Sequence, residues 1–201
     1  MHISEGVLSA PVLVSGAVLT LAGTAVGLKT IDYERIAQAG VLSSAFFVAS
    51  LVHINIGPSS VHLILNGLLG ILLGWAAFPA ILVALILQAV FFQFGGITTL
   101  GVNGLIMALP AVVAYYAFTP MIHKTNLLAT TGAFLCGFCS VFLSAVLLGL
   151  ALIFTEENFW EVSWLIIIAH LPVMIIEGII TVFSVMFLKK VHPAMLPGFE
   201  Q

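Results

Sequence analysis

Charge is what this chain has least of. Of its 201 residues only 6% are charged and 62% are hydrophobic, whereas water-soluble domains carry about 25% charged residues. No soluble fold hides that much apolar surface, so the bilayer is the solvent. The net charge of −3 is too small to suggest a polyanion partner such as nucleic acid. No Walker A pattern is present, which leaves no nucleotide site. No His-Glu-x-x-His motif is present either, which removes the main sequence argument for a membrane-embedded metalloprotease. The two cysteines, Cys136 and Cys139, have redox or zinc spacing. They stand mid-run with no second pair, so they read as small packing residues.

What is there is apolar sequence in long unbroken runs. Barrel strands would alternate with a period of two, and these runs do not. Backbone groups in lipid must be satisfied internally, which leaves helices. A span needs about 20 residues. The expectation is an all-α integral membrane protein with about seven transmembrane helices, in one membrane domain over residues 1–201. The spans fall near 7–28, 36–54, 61–77, 79–94, 102–118, 126–154 and 163–188.

With that count, Lys29, Arg35, Lys124, Lys189 and Lys190 all fall on one side, and Glu5, Glu156, Glu157 and Glu161 on the other. Basic residues mark the cytoplasm, so the expectation is a C-terminus inside and an N-terminus outside. The opening Met-His-Ile-Ser-Glu-Gly lacks the basic residues of a signal peptide, and cleavage is not expected.

On the outer side three polar features gather. They are the opening residues 1–6, the loop from His53 through Ser59 and Ser60 to His62 and Asn66, and the loop carrying Thr98, Thr99 and Asn103. In so apolar a chain each polar group costs free energy unless satisfied. A free amine on Met1 has an ordinary pKa near 7.7–8.0. With the His2 amide and imidazole it forms fused chelate rings in one plane. A fourth nitrogen would complete a square, which suits Ni(II) or Cu(II), and Co(II) can use the same donors. His62, following the Gly57-Pro58-Ser59-Ser60 turn, is placed to supply it. Asn66 is four residues on and shares a helical face with it. His53, Ser59, Ser60, Asn66, Thr98, Thr99 and Asn103 are expected to support or gate this site.

The last span carries His170, Met174 and Glu177, spaced to share a face. Glu177 falls deep in the hydrocarbon, where a carboxyl group marks either function or a hydrogen-bonded packing position. It could line an exit route or dock a motor subunit. A proton- or sodium-coupled secondary carrier using His170 and Glu177 is the rival functional reading. Gly16, Gly23 and Gly27 would let the first helix seat closely on its neighbours.

The opening hexapeptide, the Gly57-Pro58-Ser59-Ser60-Val61-His62 turn with Asn66-Gly67, and Phe94-Gly95-Gly96 through Asn103 together resemble the CbiM/NikM family over essentially the whole chain. These are the substrate-capture (S) subunits of energy-coupling factor (ECF) transporters for cobalt and nickel. The resemblance implies a six-helix core with an added N-terminal helix. It implies Co²⁺ or Ni²⁺ as transported ion and no resident cofactor, with the ion held by Met1, His2 and His62. The spacing of Ser60 and His62, with Val61 between them, leans toward the cobalt-type members. It also implies an ATPase pair, a transmembrane coupling subunit and a small accessory membrane subunit as partners. By the same resemblance the chain is a subunit of a cell-membrane importer, not an enzyme, and one serving cobalamin biosynthesis in the cobalt case.

Overall fold

The structure is a computed structural model that describes residues 2–51, 53–56 and 59–197, without the side chains of Glu34, 53–56 and 59–61. Helix α1 covers Ala10–Lys29, with proline in its first turn and Lys29 in its last. Both suit the orphan groups and dipole of a helix end. Its buried residues are Gly16, Thr20, Gly23 and Gly27, spaced four, three and four, so one narrow stripe faces protein. A Cβ on Gly16 would come within 2.5 Å of Val102, and one on Gly23 within 2.5 Å of the Phe78 ring. The absent side chains let the α1 backbone touch its neighbours, while Val14, Val18, Leu21 and Leu28 remain exposed.

Helix α2 covers Tyr33–Ala49. A short antiparallel hairpin follows, β1 (His53–Ile56) with β2 (Ser59–His62), in a register that sets His53 opposite His62. Helix α3 covers Asn66–Leu73, a 3-10 turn covers Gly74–Ala76, and α4 covers Ala77–Phe92. Helix α5 is Leu100–Ile122 and α6 is Asn126–Ile153. Helices α7 (Trp160–Ala169) and α8 (Leu171–Val191) are separated at His170, where Pro172 opens α8.

Packing centres on α6, which contacts α3, α5, α7 and α8. Gly67 on α3 is so close to α6 that a Cβ there would stand 2.9 Å from the Gly137 Cα. Gly137 in turn would meet the Thr181 hydroxyl of α8 at 2.6 Å. Three helices therefore meet almost backbone to backbone, and α8 comes within side-chain reach of the start of α3.

The expectation of about seven transmembrane helices is overturned. Among the described residues five helical stretches are long and apolar enough to cross a membrane: Ala10–Lys29, Asn66–Phe92, Leu100–Ile122, Asn126–Ile153 and Glu157–Val191. A shorter apolar helix, Arg35–Ala49, makes six helical units. The excess arose between residues 61 and 94, where two spans were expected and one 27-residue stretch is found. Its first part, α3, has 8 residues, about 12 Å at 1.5 Å per residue, against a hydrocarbon core of about 30 Å. The stretch is not a rod. Gly74, at φ 55 and ψ −125, breaks it. His62 before it and Phe94 after it both stack against His2, whereas a straight helix of that length would hold its ends about 40 Å apart.

Sidedness consequently cannot rest on the count, but the two ends of α5 define two ends of the bundle. Near its start Asn103 bonds Ile3. At its close the Lys189 ammonium donates to the carbonyls of Ile122 and Lys124, each at 3.0 Å.

Candidate metal site

The opening segment is threaded into the protein and held by its backbone. Asn103 Oδ1 accepts from the Ile3 N–H at 2.9 Å, and Asn103 Nδ2 donates to the Ile3 carbonyl at 3.2 Å. One side-chain amide thus does for Ile3 what a neighbouring strand would do. Asn103 Nδ2 also donates to the Thr99 hydroxyl at 3.2 Å, which fixes the amide's orientation. Two residues further on, the Glu5 N–H donates to the Gly95 carbonyl at 3.0 Å, and Glu5 Oε1 accepts from the Thr98 N–H at 3.1 Å. Gly95 and Gly96 both have positive φ, and a Cβ on Gly96 would collide with the Glu5 side chain. Glycine is required there for the approach.

These bonds bury His2 and leave Ile3 at 0% exposure. The His2 ring stacks on that of His62, with centroids 4.7 Å apart and planes 28° from parallel. Phe94 stacks near it at 6.1 Å. His62 Nδ1 lies 2.7 Å from the Leu63 carbonyl. A carbonyl only accepts, so this bond assigns the proton to Nδ1 and leaves the lone pair on Nε2. Nε2 is buried and has no hydrogen-bond partner among the described residues. Burial holds the His62 imidazole well below its ordinary pKa, and so in the neutral form that binds metals.

The other expected site residues divide. Met1 lies outside the described residues. His53, Ser59 and Ser60 are in the hairpin whose last residue is His62, their side chains outside the description. Thr98 and Thr99 belong to the turn that grips Glu5 and Asn103. Asn66 opens α3. It donates to the Met107 carbonyl at 3.2 Å and the Ser144 hydroxyl at 2.9 Å, tying α3 to α5 and α6. His170 is buried, with Nδ1 2.7 Å from the Ile166 carbonyl. Glu177 is fully buried, and its Oε1 accepts from the backbone N–H groups of Ile64 and Leu65.

Sequence reasoning did not single out Ile3 or Glu5 for their contacts. The lone acid of the opening hexapeptide was the available signal for Glu5. Among the described residues no group of three His, Cys, Asp or Glu side chains is set to hold a metal. Two imidazoles, those of His2 and His62, come together here.

Residues 2–195 match the family model for the CbiM cobalt uptake substrate-specific transmembrane region. A Haemophilus influenzae protein named "Putative metal transport protein" is 42% identical over 205 residues, covering 100% of this chain and 98% of that one. A cobalt transport protein CbiM from Kyrpidia tusciae is 30% identical, covering 98% of this chain and 86% of that one. The crystal structure of a transition metal transporter superposes with a TM-score of 0.77 at 27% identity, covering 95% of this chain and 93% of that one. The chain therefore belongs to the CbiM/NikM family of transmembrane metal transport proteins, as a multi-pass α-helical inner-membrane protein that serves transport and catalyses no reaction.

Proposed function

We propose that this protein is the substrate-capture subunit of an ECF-type importer for a divalent transition metal, Co²⁺ or Ni²⁺. The observation that carries the reading is the stacked pair His2 and His62, with His62 Nε2 bare and the segment behind His2 clamped by Asn103. A free Met1 amine, the His2 amide and the His2 imidazole would supply three nitrogens, and His62 Nε2 the fourth. Four nitrogens in a plane suit Ni(II), and Co(II) accepts the same set. A buried, neutral imidazole needs no proton removed before it ligates.

The His2 end is taken to face away from the cytoplasm. Lys124 and Lys189 lie together at the opposite end, and basic residues favour the cytoplasmic side. The ion arrives from outside and is captured at the terminus. The turn at Gly95–Thr99 closes over it. An ATPase pair, working through a transmembrane coupling subunit and a small accessory membrane subunit, then drives release inward. The whole chain acts as one membrane domain. The relatives named for cobalt and metal transport support the cargo class.

The bonds that His170 and Glu177 make weaken the rival carrier built on them. Both side chains are bonded to backbone groups of the protein itself. Metal analysis and the visible spectrum of the purified protein test the proposal. One Co²⁺ or Ni²⁺ per chain is expected, and a yellow diamagnetic centre would identify square-planar Ni(II). A protein that takes up neither ion would sink it.

A further inference from the structure

The three residues between the end of β2 and the start of α3, Leu63, Ile64 and Leu65, belong to neither a strand ladder nor a helix. Their amides need partners from elsewhere. Leu65 also has φ 57 and ψ 15, a left-handed conformation that a leucine adopts only when its surroundings impose it. The partner is Glu177, which belongs to α8 more than 100 residues away. Its Oε1 accepts from Ile64 N–H and, at 2.8 Å, from Leu65 N–H. Glu177 can reach them because α3, α6 and α8 meet at Gly67 and Gly137. The other side of the same short segment is His62, whose ring is pinned to the carbonyl of Leu63.

We infer that Glu177 is a positioning residue: its carboxyl group fixes the Leu63–Leu65 turn and thereby sets His62 against His2. The inference rests on the proposed role of His62 for its importance, but not for its test. It gives the buried acid of α8 a task other than relaying an ion or a proton. It also makes α8 the helix whose displacement would draw His62 out of place.

The test compares three variants of the full chain in detergent without metal, by amide hydrogen exchange at Ile64 and Leu65. Glu177→Gln keeps both reach and an acceptor oxygen. Glu177→Asp keeps the charge type but is one methylene short. Glu177→Leu keeps bulk and removes the acceptor. Losing an acceptor for a buried amide is worth about 10- to 100-fold in exchange. The expected order of exchange is wild type, then Gln within about tenfold, then Asp and Leu. Should the leucine variant not fold, the Gln and Asp pair decides the order alone. Exchange in Asp equal to or slower than in Gln, or no change in any variant, overturns the inference.

Ni²⁺ and Co²⁺ titration of the same proteins separates this from the metal reading. Deprotected amides with metal affinity falling in the same order support both. Deprotected amides in a protein whose wild type binds neither ion support the positioning role while removing the metal site. Equal affinity in wild type and Glu177→Asp, in a protein whose affinity falls in His62→Ala, would show that the turn does not govern His62, and overturns the inference.

Discussion

Asn103 holds Ile3 by both of its backbone groups, 100 residues apart in sequence, with bonds of 2.9 and 3.2 Å. This pairing makes the opening segment an interior one. It also fixes the neighbour of Ile3, which is His2.

Replacing Asn103 with leucine should remove the clamp and leave the Ile3 amide buried without a partner. The cost is about 3 kcal/mol, which would weaken Co²⁺ or Ni²⁺ binding by roughly 100-fold. Asn103→Asp, which keeps the acceptor for the Ile3 N–H but loses the donor, should fall between. Calorimetric titration of the three proteins checks the order.

Acidification should weaken metal binding with a defined slope. Between the ordinary imidazole pKa of about 6.5 and the amine's of about 7.7, the proposed chelate releases close to two protons per metal, one from the Met1 amine and one from the His2 amide. Affinity should then fall about 100-fold per pH unit on going down from neutral. His62 adds no proton to that count, because burial already keeps it neutral. The same depressed pKa has a consequence for the fold. Its stabilisation is fully present above the unfolded value of about 6.5 and is lost as pH falls through the lower folded one. A slope of one proton in affinity against pH would mean that the amide is not a donor.

The expected gathering of polar residues around His2 was legible because polar side chains are so scarce here. Asn103, Thr98, Thr99 and His62 could be collected by asking which costly residues share an end of the bundle, and the structure sets His62, Phe94 and Asn103 around the opening segment. The path from Asn66 to Phe92 was not legible. Its first half is buried on all sides, so no amphipathic period shows where the helix bends. Gly74 looks like any of the other glycines that serve close packing. Asn66 was drawn to the site by its spacing from His62, but four residues share a face only within one helix, and the left-handed Leu65 lies between them. The hairpin that ends in His62 pairs residues 53–56 with 59–62, and its two ends fall in the spans expected as the flanking helices.

Close helix contact through glycine is testable by contrast. A Cβ on Gly70 would collide with the backbone carbonyl of Ala111, whereas one on Gly40 would meet nothing within 4 Å. Gly70→Ala should destabilise by about 1–3 kcal/mol, lowering the unfolding temperature by several degrees. Gly40→Ala should leave it unchanged or raise it slightly, by about 0.5–1 kcal/mol. Thermal unfolding in detergent distinguishes the two.

The central proposal is that the first nitrogen of the chain is a metal ligand. It is tested most directly by titrating Co²⁺ and Ni²⁺ into one preparation twice. The first titration is made with an extension blocking the Met1 amine, the second after the extension has been cleaved to regenerate a free Met1. Binding of one ion per chain that appears only after cleavage is the predicted result. The same affinity with the extension still attached would contradict it.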